Sequence, residues 1–207
     1  MIVYVESNFI LEIALGQEHS GAAEQILSAA TTGDIELVLP QFCLSEPFST
    51  LTERGRGRLR LSRMLTEQLR QLDRSSPHKP LLQPLQVAPA TLVSFEKAEF
   101  DLLESTVGRL LSVGSTIALN GAMFQRAIGY RQMYALSAQD ATIYSCIVAH
   151  MSAQDPGEPK CFVSRNFKDF DDPDIRQELK TYGCEYADSF ENAVRFVQGD
   201  QPPFTRT

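Results

Sequence analysis

An α/β domain built on a mostly parallel sheet is the fold class this sequence predicts, and three observations carry the prediction. Short apolar runs rich in strand formers occur at 2–5 (IVYV), 35–39 (IELVL), 161–163 (CFV) and 184–187 (CEYA). Each is followed by a stretch of helical character, and such alternation is the pattern of parallel sheets, whose strands need helical crossovers between them. The chain has 207 residues, 43% of them hydrophobic, enough to bury one real core.

Taken in order, the strand at 2–5 stops at a carboxylate, Glu6, followed by Ser7 and Asn8. After the strand at 35–39 come helical stretches at 41–53 and 57–73. Four prolines (Pro77, Pro80, Pro84 and Pro89) crowd into 76–90 and mark an irregular connection. A helix then runs from about Thr91 to Ser112, with apolar residues at Leu92, Phe95, Phe100, Leu103, Val107 and Leu110, and further helices are predicted at 117–134 and 138–151. Beyond Gly199 the tail reads as frayed. With no internal repeat and no low-complexity tract, residues 1–207 read as one α/β domain carrying a helical elaboration over about 54–135.

Composition excludes several classes. No charged segment precedes an apolar run at the N-terminus, and no run reaches the ~18 apolar residues of a spanning helix, so a soluble, cytoplasmic protein with no membrane contact is expected. The cysteines at 43, 146, 161 and 184 match no metal spacing and are expected to be reduced core residues. Histidines at 19, 78 and 150 are equally scattered, so any metal should be a hard ion held by oxygens. Net charge is −7, but residues 54–79 carry +6 and the rest −13. Such a run is ordinarily a solvated helix face; segregation on this scale also suits a basic surface that meets phosphates, with Arg56, Arg58, Arg60 and Arg63 as the candidate RNA-binding residues.

Ligands of parallel sheets bind at the carboxyl ends of the strands. Glu6 lies at such an end, and so does the stretch SRNFKDFDDPDI, which brings Ser164, Asn166, Asp169, Asp171 and Asp172. Glu46 lies within an apolar helical stretch after the second strand, where an unpaired carboxylate would be costly to bury. Asp140 opens the helix SAQDATIYSCIVAH. On local grounds it is a capping-box residue answering Ser137, just as Asp172 before Pro173 is a helix cap. Four acids from four segments, Glu6, Glu46, Asp140 and Asp169, are expected around one pocket.

Four stretches carry these residues in order: YVESNFIL (4–11), LPQFCLSEPFSTL (39–51), LSAQDATIYSCIVAH (136–150) and CFVSRNFKDF (161–170). Together they resemble the PIN domain, the metal-dependent nuclease fold of many toxin–antitoxin pairs. The resemblance implies a three-layer α/β/α fold whose clustered acids hold Mg²⁺ or Mn²⁺ and hydrolyse phosphodiester bonds, usually in RNA. Residue by residue, Glu6, Glu46, Asp140 and Asp169 would be the catalytic, metal-holding acids, and Ser7, Asn8, Ser164 and Asn166 the supporting polar groups. Single-stranded RNA is the implied substrate, with an antitoxin protein or a second copy of the chain as candidate partners. Two positions depart from the family pattern: its first acid is typically Asp, where Glu6 is one methylene longer, and many members carry Asp where Asn166 stands.

Rival readings fit less well. An aspartyl-nucleophile phosphatase would need D-x-D after the first strand, where this chain has Glu-Ser-Asn. The glycines of RGRGR follow a helix and lack the lysine and hydroxyl residue of a phosphate loop. The serious alternative is a catalytically degenerate PIN-like module that binds RNA or protein.

Overall fold

Ile2, Val3, Tyr4 and Val5 have no exposed surface, which is what a run of apolar residues without alternation requires of its strand: cover on both faces. The computed structural model describes residues 1–75, 77 and 79–200, and in it this run forms the central strand of a five-stranded, all-parallel sheet ordered β3-β2-β1-β4-β5. The strands are β1 (Ile2–Tyr4), β2 (Glu36–Pro40), β3 (Ser115–Ile117), β4 (Lys160–Val163) and β5 (Cys184–Ala187). Val3 pairs with Leu37 on one side and Cys161 on the other. The tail expected to fray lies largely outside the described residues, beyond 200.

Helices cover both faces of the sheet. Between β1 and β2 run α1 (Ser7–Ala14) and α2 (Ser20–Thr32), which pack on each other, and α2 also meets the last helix, α11 (Phe190–Val197). After β2 a 3-10 turn at Gln41–Leu44 leads into α3 (Glu46–Leu72). Then follow α4 (Lys79–Leu82), α5 (Ala88–Ser94) and α6 (Glu96–Val113); α3 packs against α5 and α6, and α6 against α1. From β3 the chain passes through α7 (Gly121–Met133) and α8 (Ala138–Met151), the latter lying on β2 and β3, to β4. Short α9 (Phe167–Phe170) and α10 (Pro173–Thr181), packed on β5, complete the set. All four cysteines are buried and free, as expected. Among the described residues, no helix is long and apolar enough to cross a membrane.

Three expectations are corrected. Residues 41–53 and 57–73 do not make two helices, because α3 continues through Gly55 and Gly57. Gly55 is buried where α3 meets α6: a Cβ there would lie 2.8 Å from a carboxylate oxygen of Glu96, which would have to swing aside. The stretch over 54–135, read as a helical elaboration with no strand, supplies the edge strand β3, so residue 117 ends a strand instead of opening a helix. Ser115 and Thr116 are exposed, which removes the apolar signature by which a strand is recognised. Finally, 76–90 is not simply irregular: Pro84 and Pro89 occupy first turns of a 3-10 turn and of α5, where proline lacks no needed hydrogen bond.

The order of strands sets the place of the site. From β1 the chain moves outward to β2 and β3, then crosses back to β4 on the other side of β1. The carboxyl ends of β1 and β4 therefore flank the point where the winding reverses, which leaves a crevice between diverging connections. The helix α8 that delivers Asp140 to this crevice is tied down by one carboxylate. Glu178 of α10 accepts hydrogen bonds from the hydroxyls of Tyr130 (2.6 Å), Tyr134 (3.0 Å) and Tyr144 (2.9 Å), which come from α7, the end of α7 and α8. Burial first, and Glu178 beside them, push all three phenols up, Tyr134 to about 12, so they stay protonated donors at neutral pH. Replacing Glu178 by Ala strands three hydroxyls in a packed aromatic cluster and should destabilise the fold by about 2–4 kcal/mol in urea denaturation. A loss near zero would mean that the three phenols find water instead.

Candidate active site

Glu6 stands two residues past the end of β1 and caps α1. Its backbone is extended, and its side chain accepts the N–H of Asn8 at 2.9 Å, one of the donors that a helix N-terminus leaves unpaired. The longer acid reaches further as well. The Ser7 hydroxyl donates to Oε2 at 3.1 Å and the Ser164 hydroxyl, from the end of β4, donates to Oε1 at 3.1 Å. Glu6 is only 4% exposed. Burial pushes its carboxyl up, and these hydrogen bonds work against the rise.

Ser164 carries the connection across the crevice. Its oxygen accepts the Asn166 N–H at 3.0 Å, and the Asn166 side-chain amide donates to Asp140 Oδ1 at 3.2 Å. The buried Tyr186 hydroxyl holds the Ser164 carbonyl at 3.0 Å. An unbroken chain of hydrogen bonds thus runs from Glu6 through Ser164 and Asn166 to Asp140. Asp140 keeps its capping role too: Ser137 caps α8 by accepting the Asp140 N–H at 3.0 Å, and the same hydroxyl donates to Asp140 Oδ2. The local cap and the site are one residue. Asp172 is a cap alone, accepting from the N–H groups of Asp174 and Ile175.

Glu46 is the first residue of α3, ahead of Pro47, where an acid also suits the positive end of the helix. Its Oε2 is buried without a hydrogen-bond partner. Burial pushes this carboxyl up, the nearby Ser7 hydroxyl lowers it, and the charge of Asp140 raises it again. Cys43 lies beneath both glutamates: burial, then the charges of Glu6 and Glu46, hold its thiol well above its usual range. Glu6, Glu46 and Asp140 therefore share one region. Asp169 joins it through the backbone, its N–H donating to the Asn166 carbonyl at 3.1 Å, and no hydrogen bond among the described residues ties its carboxylate to the other three. Among the described residues, no three His, Cys, Asp or Glu side chains form a ready-made metal cage.

The candidate RNA-binding arginines divide. Arg56, Arg60 and Arg63 follow the helical repeat on one exposed stripe of α3, with Arg56 paired to Glu53. Arg58 turns to α6, where it forms a two-pronged ion pair with Glu99 at 2.7 and 2.8 Å. Two side chains went unassigned in the sequence. Glu12, in the apolar run FILEIAL, is only 1% exposed, and Arg165, between Ser164 and Asn166, donates to it at 2.6 Å. A charge within an apolar helix is itself a signal, since a buried carboxylate needs a partner.

A parallel α/β domain with acids beside its switch-point crevice is the class of fold that binds and acts on ligands there. The chain belongs to the PIN-domain family: a PIN domain model matches residues 3–170, which takes in β1, α3, α8 and the loop after β4. PIN domains are generally nucleases. No curated protein and no solved structure matches the chain.

The raised carboxyls have a consequence for stability. A group that titrates higher folded than unfolded holds extra proton in the native state over the interval between the two values, so stability falls as pH rises through it and stays lower above. Both Glu6 and Glu46 act in this sense. Glu46→Gln should therefore raise the melting temperature in EDTA at pH 7.5 by about 2 °C and shrink the fall in melting temperature between pH 4 and 7.5. A lower melting temperature than wild type in EDTA would show that the Glu46 charge stabilises the fold.

Proposed function

We propose that this chain is a metal-dependent endoribonuclease that uses Mg²⁺ or Mn²⁺, with Glu46 and Asp140 as the residues that would hold the ion. The observation that carries this reading is the buried, unpartnered Oε2 of Glu46 beside the charge of Asp140. A divalent cation held there would answer the charges of both carboxylates and so counter the burial and repulsion that push the Glu46 carboxyl up. Mg²⁺ keeps several waters and needs only one or two protein carboxylates, so the lack of a closed cage suits it. When bound, such an ion supplies Lewis-acid polarisation of a phosphodiester and makes water a better nucleophile at neutral pH.

The chain's own groups do the rest. Glu6 has its oxygens occupied by Ser7, Asn8 and Ser164, so its part is to hold those groups in place beside the other acids. Asn166 and Ser137 fix the Asp140 carboxylate in one orientation. Asp169, three residues past Asn166, would be the fourth acid of the site. The exposed stripe of Arg56, Arg60 and Arg63 offsets substrate phosphate charge in an otherwise acidic protein.

A second reading, a PIN domain that binds RNA without cleaving it, draws on the same Glu6: three donors satisfy it with no cation required. Cleavage of a labelled single-stranded RNA separates the two. The nuclease should act with Mn²⁺ or Mg²⁺ and stop in EDTA, and Asp140→Asn should lower the rate by about 100-fold or more. Mn²⁺ binding followed by calorimetry should release protons and weaken as pH falls. Equal cleavage by wild type and Asp140→Asn would assign the activity to a contaminant; binding without cleavage would assign the noncatalytic role.

A further inference from the structure

Beside the acids lies a polar cleft of about 230 Å³ lined by Asn8, Leu11, Glu12, Gln17, Arg54 and Arg165. Two of its walls are shared with the acid network. The Asn8 N–H holds Glu6, and Arg165 sits in the chain between Ser164 and Asn166. Its charge is that of an anion site. Glu12 faces inward, 2% exposed, with its oxygens taken by Arg165 and by the His19 N–H, so it neutralises one guanidinium and presents little of itself. Arg165 spends Nη1 on that contact and remains 37% exposed, with further donors of its planar fork still available. Arg54 is exposed and, among the described residues, has no carboxylate partner. The cleft thus carries one uncompensated positive charge and two forked donors.

We propose that this cleft seats a phosphate group of the RNA strand next to the one that meets Glu46 and Asp140, gripped between Arg54 and Arg165. The assignment rests on the reading of the acids as an RNA site. Guanidinium groups take phosphate oxygens two at a time, which fixes orientation as well as charge. Glu12 is then a positioning residue: its buried carboxylate holds Arg165 on the cleft wall. Arg54 stands two residues from Arg56 on α3, a rotation of about 200°, so the cleft is a different surface from the stripe of Arg56, Arg60 and Arg63.

The test is anisotropy of a labelled single-stranded RNA in EDTA, titrated with NaCl. Arg54→Gln removes an exposed, unpaired side chain and should not disturb folding. It should weaken binding about tenfold and flatten the log–log salt slope by about 0.7, the value for one phosphate contact on a single strand. Arg165→Lys keeps a charge for Glu12 but loses the fork, and should weaken binding about threefold with the slope nearly unchanged. Lys180→Gln, on α10 outside the cleft, should match wild type. A wild-type affinity and slope in Arg54→Gln would overturn the cleft assignment, as would failure of the wild type to bind RNA. The nuclease reading is judged separately by Mn²⁺-dependent cleavage and Mn²⁺ calorimetry of the wild type. If cleavage is absent yet Arg54→Gln loses affinity and slope, the cleft stands and the nuclease reading falls.

Discussion

A carboxylate taken out of water at the end of the central strand is the constraint around which the rest is arranged. Glu6 is buried at the one place in a doubly wound sheet where neighbouring connections diverge. A lone buried charge is expensive, so every oxygen of Glu6 is met by a donor, and the donors come from two separate strands' ends. Ser164 can serve only if β4 lies beside β1 in the observed register, with Ile2 opposite Lys160. Sheet order and site chemistry are in this way one requirement.

The same logic repeats at the flanks. Lys160, with no exposed surface, donates to the carbonyls of Asp155 and Glu158, which moors the loop that enters β4. Glu12 is matched by Arg165, and Glu178 by three tyrosines. Glu12 and Glu178 tie together segments far apart in sequence, whereas Lys160 secures its own neighbourhood. Glu46 breaks the pattern. Its buried Oε2 has no partner, and burial and the charge of Asp140 push its carboxyl up against the lowering effect of the Ser7 hydroxyl. A site that departs from full satisfaction amid neighbours that achieve it is where function is to be sought.

The helical elaboration bears on the site through α3, which begins at Glu46 and carries Arg54 to the cleft two turns later. Residues 46 to 54 are one unbroken helical stretch, so the acid and the arginine sit on a single rigid element. Gly55 gives up helix propensity where α3 lies against Glu96 of α6, whereas a Cβ at Gly57 would meet open space.

Much of this was legible in the sequence, for identifiable reasons. IVYV and CFV read as buried strands because a parallel strand covered on both faces needs an unbroken apolar run, and each observed strand matches its expected span to within one residue at either end apart from β3. The acids Glu6, Glu46 and Asp140 were visible because each ends, interrupts or opens an apolar stretch. By contrast β3 is three residues long and two of them are exposed, so only its pairing with β2 defines it. The two-fold role of Asp140 was equally hidden: the cap depends on Ser137, three residues away, whereas the tie to Asn166 spans 26 residues. Arg58 and Arg54 look alike in RGRGR and its surroundings, yet one is bound to Glu99 and the other lines a cleft. Sequence alone determined what depends on period and local chemistry, namely the strand–helix order, the caps and the identity of the acids. Which charges are answered and which are left open was decided only by tertiary structure, because a charge's partner is set by which distant segments the sheet brings within hydrogen-bonding reach.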